Sequence, residues 1–439
     1  MVKMGILTVN ADLEIKKISL FEKFAFFLSK TDIKVVFFIM IFIGTFFYVP
    51  PERLIFLPPI YELVGQIVKF LMLFVLICFF IRALFKRNFY VPINKYVIAA
   101  TSYIAVCLLS IFLNLDDITG MSISEFIYLF YNFIVFLIIL YTLKNEDYKI
   151  LIYAMICLIF FNCALSYIEF FVEYNESKGS KSGFFGDRIY YGRLATIVSA
   201  YLIIKLFNME SKLKFKKLLL AAGILFLFVN ILLLFQRGAY LAYFFAIAAI
   251  ILATKNKKII FYGILAVCFF VVPLFGYMTM ERMKRHKMNV VNMSDAGRLS
   301  AAYAGFNMWK ANPVIGVGHA KAMAKLRKYE DIHIMGFDNQ NMAIHNIHIM
   351  RLAETGLLGF VTFGIFNLML ISKLLERFKG KKNIVKECPD ELFYAIFLCI
   401  YFITGMLYPI NFREGYYWYL SAGALILLRD GDNNDNSLS

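Results

Sequence analysis

His345-Asn346, followed after residues 347–355 by Gly356 and Gly359, is the stretch whose residue types point most directly to chemistry. Histidine exchanges a proton near neutral pH, so His345 reads either as a polar residue at a helix start or as a general base. If the chain is helical from Ile344 onward, His345 and His348 share one face a turn apart. A metal site on that pair lacks partners, because no Cys, Asp or Glu cluster completes a coordination set at familiar spacing. His348 reads as structural, and Gly356 and Gly359 as positions that let helices pack closely.

Arginines supply the other half of a possible site. Gln236-Arg237-Gly238 lies between two apolar runs with almost no loop. An arginine there is costly unless it is paired or faces water. It either snorkels to headgroups or clamps an anion with its planar fork. Asp295-Ala296-Gly297-Arg298-Leu299 opens a second candidate stretch, helix-forming to Lys310 and carrying Trp309. Pro313, Gly316 and Gly318 then break it into a turn that ends at His319. Gly316 and Gly318 follow no strand of an α/β unit, so they are no dinucleotide fingerprint and read as a tight turn shaping a pocket wall. Arg188 ends a Gly-rich run that begins at Lys181. The cluster Arg282, Lys284, Arg285 and Lys287 reads first as a contact for anionic headgroups.

Membrane helices must position these residues. The 439-residue chain is 61% hydrophobic and 18% aromatic, well beyond the apolar share of soluble domains. It reads as an all-α polytopic membrane protein with about 12 transmembrane helices, each needing roughly 20 apolar residues. Spans are expected near 34–50, 63–84, 95–114, 124–143, 149–170, 189–207, 217–236, 238–254, 259–278, 356–374, 391–409 and 414–428. A formal charge of +16 would point to nucleic acid in a soluble chain. Here the lysines and arginines gather in alternate loops, such as Lys205 to Lys217 and Lys373 to Lys386, which places those loops and both termini in the cytoplasm. No nucleic-acid partner is expected.

The expected layout has five parts. Residues 1–33 form a cytoplasmic N-terminus with an interfacial helix at 15–29, and 34–276 hold transmembrane helices 1–9. Residues 277–355 form one large exoplasmic loop that contains helices and all five histidines. Residues 356–428 hold transmembrane helices 10–12, and 429–439 form a cytoplasmic tail, disordered from Asp430. The N-terminus does not read as a cleavable signal. Six of the seven cysteines lie in or beside apolar runs and Cys388 in a basic loop, which speaks against a disulfide framework. Within the spans only Lys69 is expected as an interior Lys or Arg, an arrangement that disfavours a transporter of lipid-linked glycans.

Taken together, these motifs resemble the O-antigen ligase and O-antigen polymerase superfamily. The resemblance rests on Arg237-Gly238, Gly297-Arg298-Leu299, Trp309, Pro313 to Gly318, and His345-Asn346 with Gly356 and Gly359. Gln236 departs from the Ser or Thr that often precedes the arginine. The resemblance implies a metal-independent, inverting glycosyltransferase with no cofactor, in the bacterial inner membrane, acting on its periplasmic face. The implied donor is a glycan on undecaprenyl diphosphate. For an O-antigen ligase the acceptor is a sugar hydroxyl of lipid A–core; for an O-antigen, capsule or exopolysaccharide polymerase it is another lipid-linked repeat unit. His345, Arg237 and Arg298 are the expected catalytic residues. Asn346, Trp309, Arg188, Gly316, Gly318 and His319 are the expected substrate-binding residues, and membrane lipids the surrounding partners.

Overall fold

The computed structural model describes residues 94–115, 120–143, 145–172, 188–210, 212–234, 236–256, 258, 288–330, 344–406 and 415–435. The expected spans at 34–50, 63–84 and 259–278, the interfacial helix at 15–29, the cluster Arg282 to Lys287, and His286 and His333 lie outside them. Among the described residues every regular element is helical: α1 (Lys95–Phe112), α2 (Gly120–Thr142), α3 (Lys149–Val172), α4 (Arg188–Asn208), α5 (Lys214–Leu233) and α6 (Arg237–Ala253) come first. Then follow α7 (Met288–Ala311), α8 (Ala322–Tyr329), α9 (Ile347–Arg377), α10 (Ile384–Glu387), α11 (Pro389–Gly405) and α12 (Gly415–Asp435). A 3-10 turn at Asn145–Tyr148 joins α2 to α3. Each expected span on described residues coincides with one of these helices.

Among the described residues, five segments are long and apolar enough to cross a membrane: Lys95–Phe112, Glu125–Thr142, Lys149–Ile168, Lys214–Leu233 and Ile347–Arg377. The shorter Gly238–Ala253 is also apolar. Helices α4 and α12 are different in kind. Residues 190–202 of α4 and 415–426 of α12 are buried all round. A helix covered by protein on every side need not be uniformly apolar, so α4 carries Arg193, Thr196 and Ser199 at its centre. The peripheral α5 is the reverse, with Phe215, Leu218, Leu219 and Leu225 exposed as a lipid-facing flank requires. An aromatic seam fills the core, with Trp418 of α12 against Phe133 and Phe136 of α2 and Phe366 of α9.

The two ends of the bundle differ chemically. At one end Asp390 at the start of α11 collects Tyr148 (2.5 Å), Lys205 (3.4 Å) and Lys149 (3.7 Å). Lys255 and Arg377 cap the backbone carbonyls of Lys381 and Leu428 there. This end carries the loops whose basic content the sequence assigned to the cytoplasm. At the other end lie the beginnings of α4, α6, α9 and α12 and the ends of α1 and α11.

Three expectations are corrected. First, α9 begins at Ile347 and runs on to Arg377, so the helix of the expected span at 356–374 starts nine residues earlier, within the helix-containing loop. Second, α12 continues past Asp430 to Asp435, where a disordered tail was expected. Third, Lys69 was expected as the one basic residue interior to a span, yet Arg193 of α4 and Arg351 of α9 are fully buried within their helices.

Candidate functional site

The site is organised by a break in α9. Gly356 stands inside that helix with φ 62 and ψ −166, a conformation open essentially to glycine alone. The break leaves backbone groups without helical partners, and the turn at 313–318 supplies them. Leu357 N–H donates to Pro313 O (2.8 Å) and Leu358 N–H to Val314 O (3.1 Å). In return, Val317 N–H donates to Ala353 O (2.8 Å) and Gly318 N–H to Glu354 O (3.1 Å). A Cβ on Gly356 would meet Ile315 N at 2.5 Å, and one on Gly316, at φ 75, would meet Ala353 O at 2.5 Å. The two backbones therefore touch at the two glycines that the sequence singled out. This is how an interrupted helix is tolerated at membrane depth, with its freed groups satisfied by buried protein.

The end of α1 locks the same junction. Ser110 Oγ lies 2.7 Å from Glu354 O and 3.0 Å from Ile315 O. Asn114 reaches Gly316 O at 3.4 Å, and the Lys321 ammonium donates to the Asn114 carbonyl. Beneath the junction, Ala320 and Ala322 N–H groups donate to the Glu354 carboxylate. His319 Nδ1 stands 3.8 Å from that carboxylate, too far for a hydrogen bond, and its ring meets Phe126 edge-on. Burial, then the nearby Arg351 charge, push the His319 imidazole down to about 3, so the contact is between a neutral ring and the acid. The Arg351 guanidinium lies 3.2 Å from the centroid of Phe363 and 5.2 Å from that of Tyr103, with Tyr401 Oη 3.3 Å from Nη2. These residues form a buried polar floor; His319 belongs to it.

His345 and Arg298 are brought within electrostatic reach of each other by the packing of α7 on the start of α9. Asn346 is the N-cap of α9, and its Oδ1 accepts from His348 N (2.9 Å) and Ile349 N (3.1 Å). The Asn346 Oδ1 thus fixes where the helix starts. His345 precedes the cap, so the helix does not reach back to Ile344 and the two histidines do not share a helical face. His348 instead stacks on Phe402 at 5.8 Å and meets Phe360 edge-on.

Helix α7 delivers the arginine. Ala301, Ala304 and Met308 form its buried face, and Gly297 and Gly305 are buried beside them. A Cβ on Gly305 would come 2.8 Å from both Ile344 and Ile349 side chains, so the absence of a side chain there lets α7 lie directly on the start of α9. Arg298 and Trp309 share the flank of Gly305 by helical periodicity. Arg298 is close enough to His345 for its charge, after burial, to hold the imidazole below its usual value. Among the described residues the buried Trp309 indole N–H has no acceptor, and the ring lies 5.1 Å from Phe306.

Arg237 and Arg188 are placed by backbone alone. Arg237 is the first residue of α6, after Gln236 as N-cap, and Arg188 is the first of α4. Gly192 brings the two helices together, since a Cβ there would meet Ala239 at 2.7 Å. Arg193, next in sequence, contacts Tyr416 Oη of α12 at 3.2 Å. Both helices therefore begin at the end of the bundle that also holds the α9 break.

Residues 222–364 match the family model described as O-antigen ligase. The match supports the O-antigen ligase and polymerase superfamily for this segment. It runs from α5 through α9 to the residues just past the break, so it contains Arg237, Arg298, the 313–318 turn, His345 and Gly356. Arg188, Arg193, α11 and α12 lie outside it. No curated protein matches the chain. Sequence reasoning did not single out two features of the junction, one inside the matched segment and one outside it. These are the Arg351 and Glu354 pair, and Ser110 at the end of α1. The signal for the first pair was present, as ionisable residues beside a membrane helix are functional or structural pivots by default.

Proposed function

We propose that this chain is a glycosyltransferase of the bacterial inner membrane, acting at its outer face, and that it is an O-antigen ligase. The observation that carries the reading is the packing of α7, which bears Arg298, on the start of α9 beside His345, within the segment that matches the O-antigen ligase model. In this reading a sugar hydroxyl of lipid A–core attacks the anomeric carbon of a glycan on undecaprenyl diphosphate. The new glycosidic C–O bond forms as the bond to the diphosphate breaks, the electron pair leaves with the diphosphate, and His345 takes the hydroxyl proton. Arg298 and Arg237 hold the diphosphate as its charge grows; each such donor is worth about 10²–10³ in rate. Trp309 and Arg188 contact substrate at the rim, and no metal or cofactor takes part.

Outer-face placement is supported by the basic loops at the opposite end of the bundle, the Asp390 end. A polymerase uses the same donor and the same two arginines and differs in its acceptor, a second lipid-linked repeat unit. Buried Arg193 and Arg351 remove one argument against a glycan transporter. Both, however, are engaged with tyrosines of neighbouring helices, as a fixed scaffold requires.

A lipopolysaccharide gel from a strain lacking this gene tests the assignment. Loss of all long chains, with unattached lipid-linked chains accumulating, supports the ligase. A core bearing a single repeat unit supports the polymerase instead, and an unchanged ladder contradicts both.

A further inference from the structure

One side of the site is apolar and open. Leu299, Tyr303 and Phe306 recur at helical spacing on the outward face of α7, and Leu299 is 63% exposed. This stripe does not stop with the helix. Val314, in the turn that follows, is 61% exposed and lies beside Leu357 and Leu358, because its carbonyl accepts the Leu358 amide. Those two leucines begin the exposed flank of α9, which continues through Val361, Ile365 and Leu368 down a helix apolar enough to span a membrane.

We propose that α7 is seated in the outer leaflet, its Leu299–Tyr303–Phe306 stripe facing the acyl chains. Three observations choose lipid over another protein as the occupant. The stripe is continuous, through Val314, with the lipid-facing flank of α9. Its residues mix an aliphatic side chain with Tyr and Phe, the aromatic belt that membrane interfaces favour. Lys310 lies beside the stripe, its ammonium 4.9 Å from the Phe306 ring, a cationic group able to snorkel to anionic headgroups while its stem lies along the apolar face. An interfacial helix of this kind buries its apolar face about 5–10 Å into the headgroup and acyl boundary.

The placement has a consequence for the site. Arg298 lies next to Leu299 on the flank turned toward His345. Seating the stripe in lipid sets Arg298 and His345 at headgroup level, where the diphosphate of a membrane-borne donor sits while its tail stays in the bilayer. The helix-containing exoplasmic loop is then, over α7, part of the membrane surface.

Tryptophan quenching tests this. The chain has two tryptophans, so Tyr303→Trp adds a third on the stripe. The variant and its parent are reconstituted as full chains in phosphatidylglycerol-containing vesicles, with acyl-brominated lipid or with aqueous acrylamide. The expected result is that the added emission is blue-shifted, strongly quenched by brominated lipid and little affected by acrylamide. Quenching by acrylamide alone would place the stripe in water and overturn the proposal. Quenching by neither would mean that protein, such as a second copy, covers it, and would also overturn it. Leu299→Trp, read in the same way, keeps the test open if Tyr303→Trp fails to insert. Because no transfer is measured, a failed glycosyltransferase assignment leaves this result standing, and a failed lipid contact leaves the transfer chemistry untouched.

Discussion

Leu357 N–H donates to the Pro313 carbonyl at 2.8 Å across a break in α9, so a turn distant in sequence completes the hydrogen bonding of a broken membrane helix. Gly356 makes the break possible. Gly356→Ala forces a side chain into a region reserved for glycine, at about 1–3 kcal/mol, and drives its Cβ into the Val314–Ile315 backbone. The expected outcome is a lowered thermal midpoint in detergent together with loss of glycan transfer. A variant with unchanged midpoint and activity would show that the junction does not hold the site together.

Gly305 controls the distance between α7 and His345. Gly305→Val puts branched carbon where Ile344 and Ile349 now pack and pushes α7 outward. Transfer should fall by at least tenfold while membrane insertion persists, since the contact is local to α7 and the first turn of α9. Full activity in Gly305→Val would mean that Arg298 need not stay close to His345.

Much of the helical frame was legible in the sequence, for a physical reason. Lipid demands long apolar runs, and those at 95–114, 149–170 and 217–236 match α1, α3 and α5 within a few residues. The start of α9 was legible only in outline: a helix from Ile344 onward was one reading, but Arg351 and Glu354 kept residues 347–355 out of the expected span. Only Asn346 as N-cap and the partners waiting in the 313–318 turn make that stretch helical. The site was legible in its parts and not in its assembly. Arg298, His345 and the glycines stood out by type and spacing, but nothing in the sequence showed that Gly305 lays one helix on the other. Nor did it show that Asn346 and His319 would serve the backbone and the floor.

The acid limb of transfer reports on His345. Burial, and next Arg298, hold its imidazole below the usual value, so the neutral base persists into mildly acidic solution. Arg298→Gln removes the neighbouring positive charge and lets the pKa rise. The acid limb of the rate profile should therefore move to higher pH, apart from any fall in the maximum. An acid limb that stays in place would separate the two residues functionally.

His319 makes stability depend on pH. Its folded value is about 3 against an ordinary 6.5, so the unfolded chain binds more protons between them. Stability is then fully present above 6.5 and falls as pH drops, by about 1.4 kcal/mol per unit. The non-titrating variant His319→Gln should be less stable than the parent at neutral pH, with the gap closing as the solution is acidified. A gap independent of pH would contradict the buried neutral imidazole.

The central claim is that His345 takes part in the chemistry, with Arg298 and Arg237 holding the leaving diphosphate. The most direct measurement is glycan transfer by purified, membrane-reconstituted His345→Ala with a polyprenyl-diphosphate-linked donor, alongside donor binding by the same protein. The account predicts that transfer is abolished while donor binding is kept, and that Arg237→Ala and Arg298→Ala weaken use of the donor. Normal transfer by a well-inserted His345→Ala protein would contradict it.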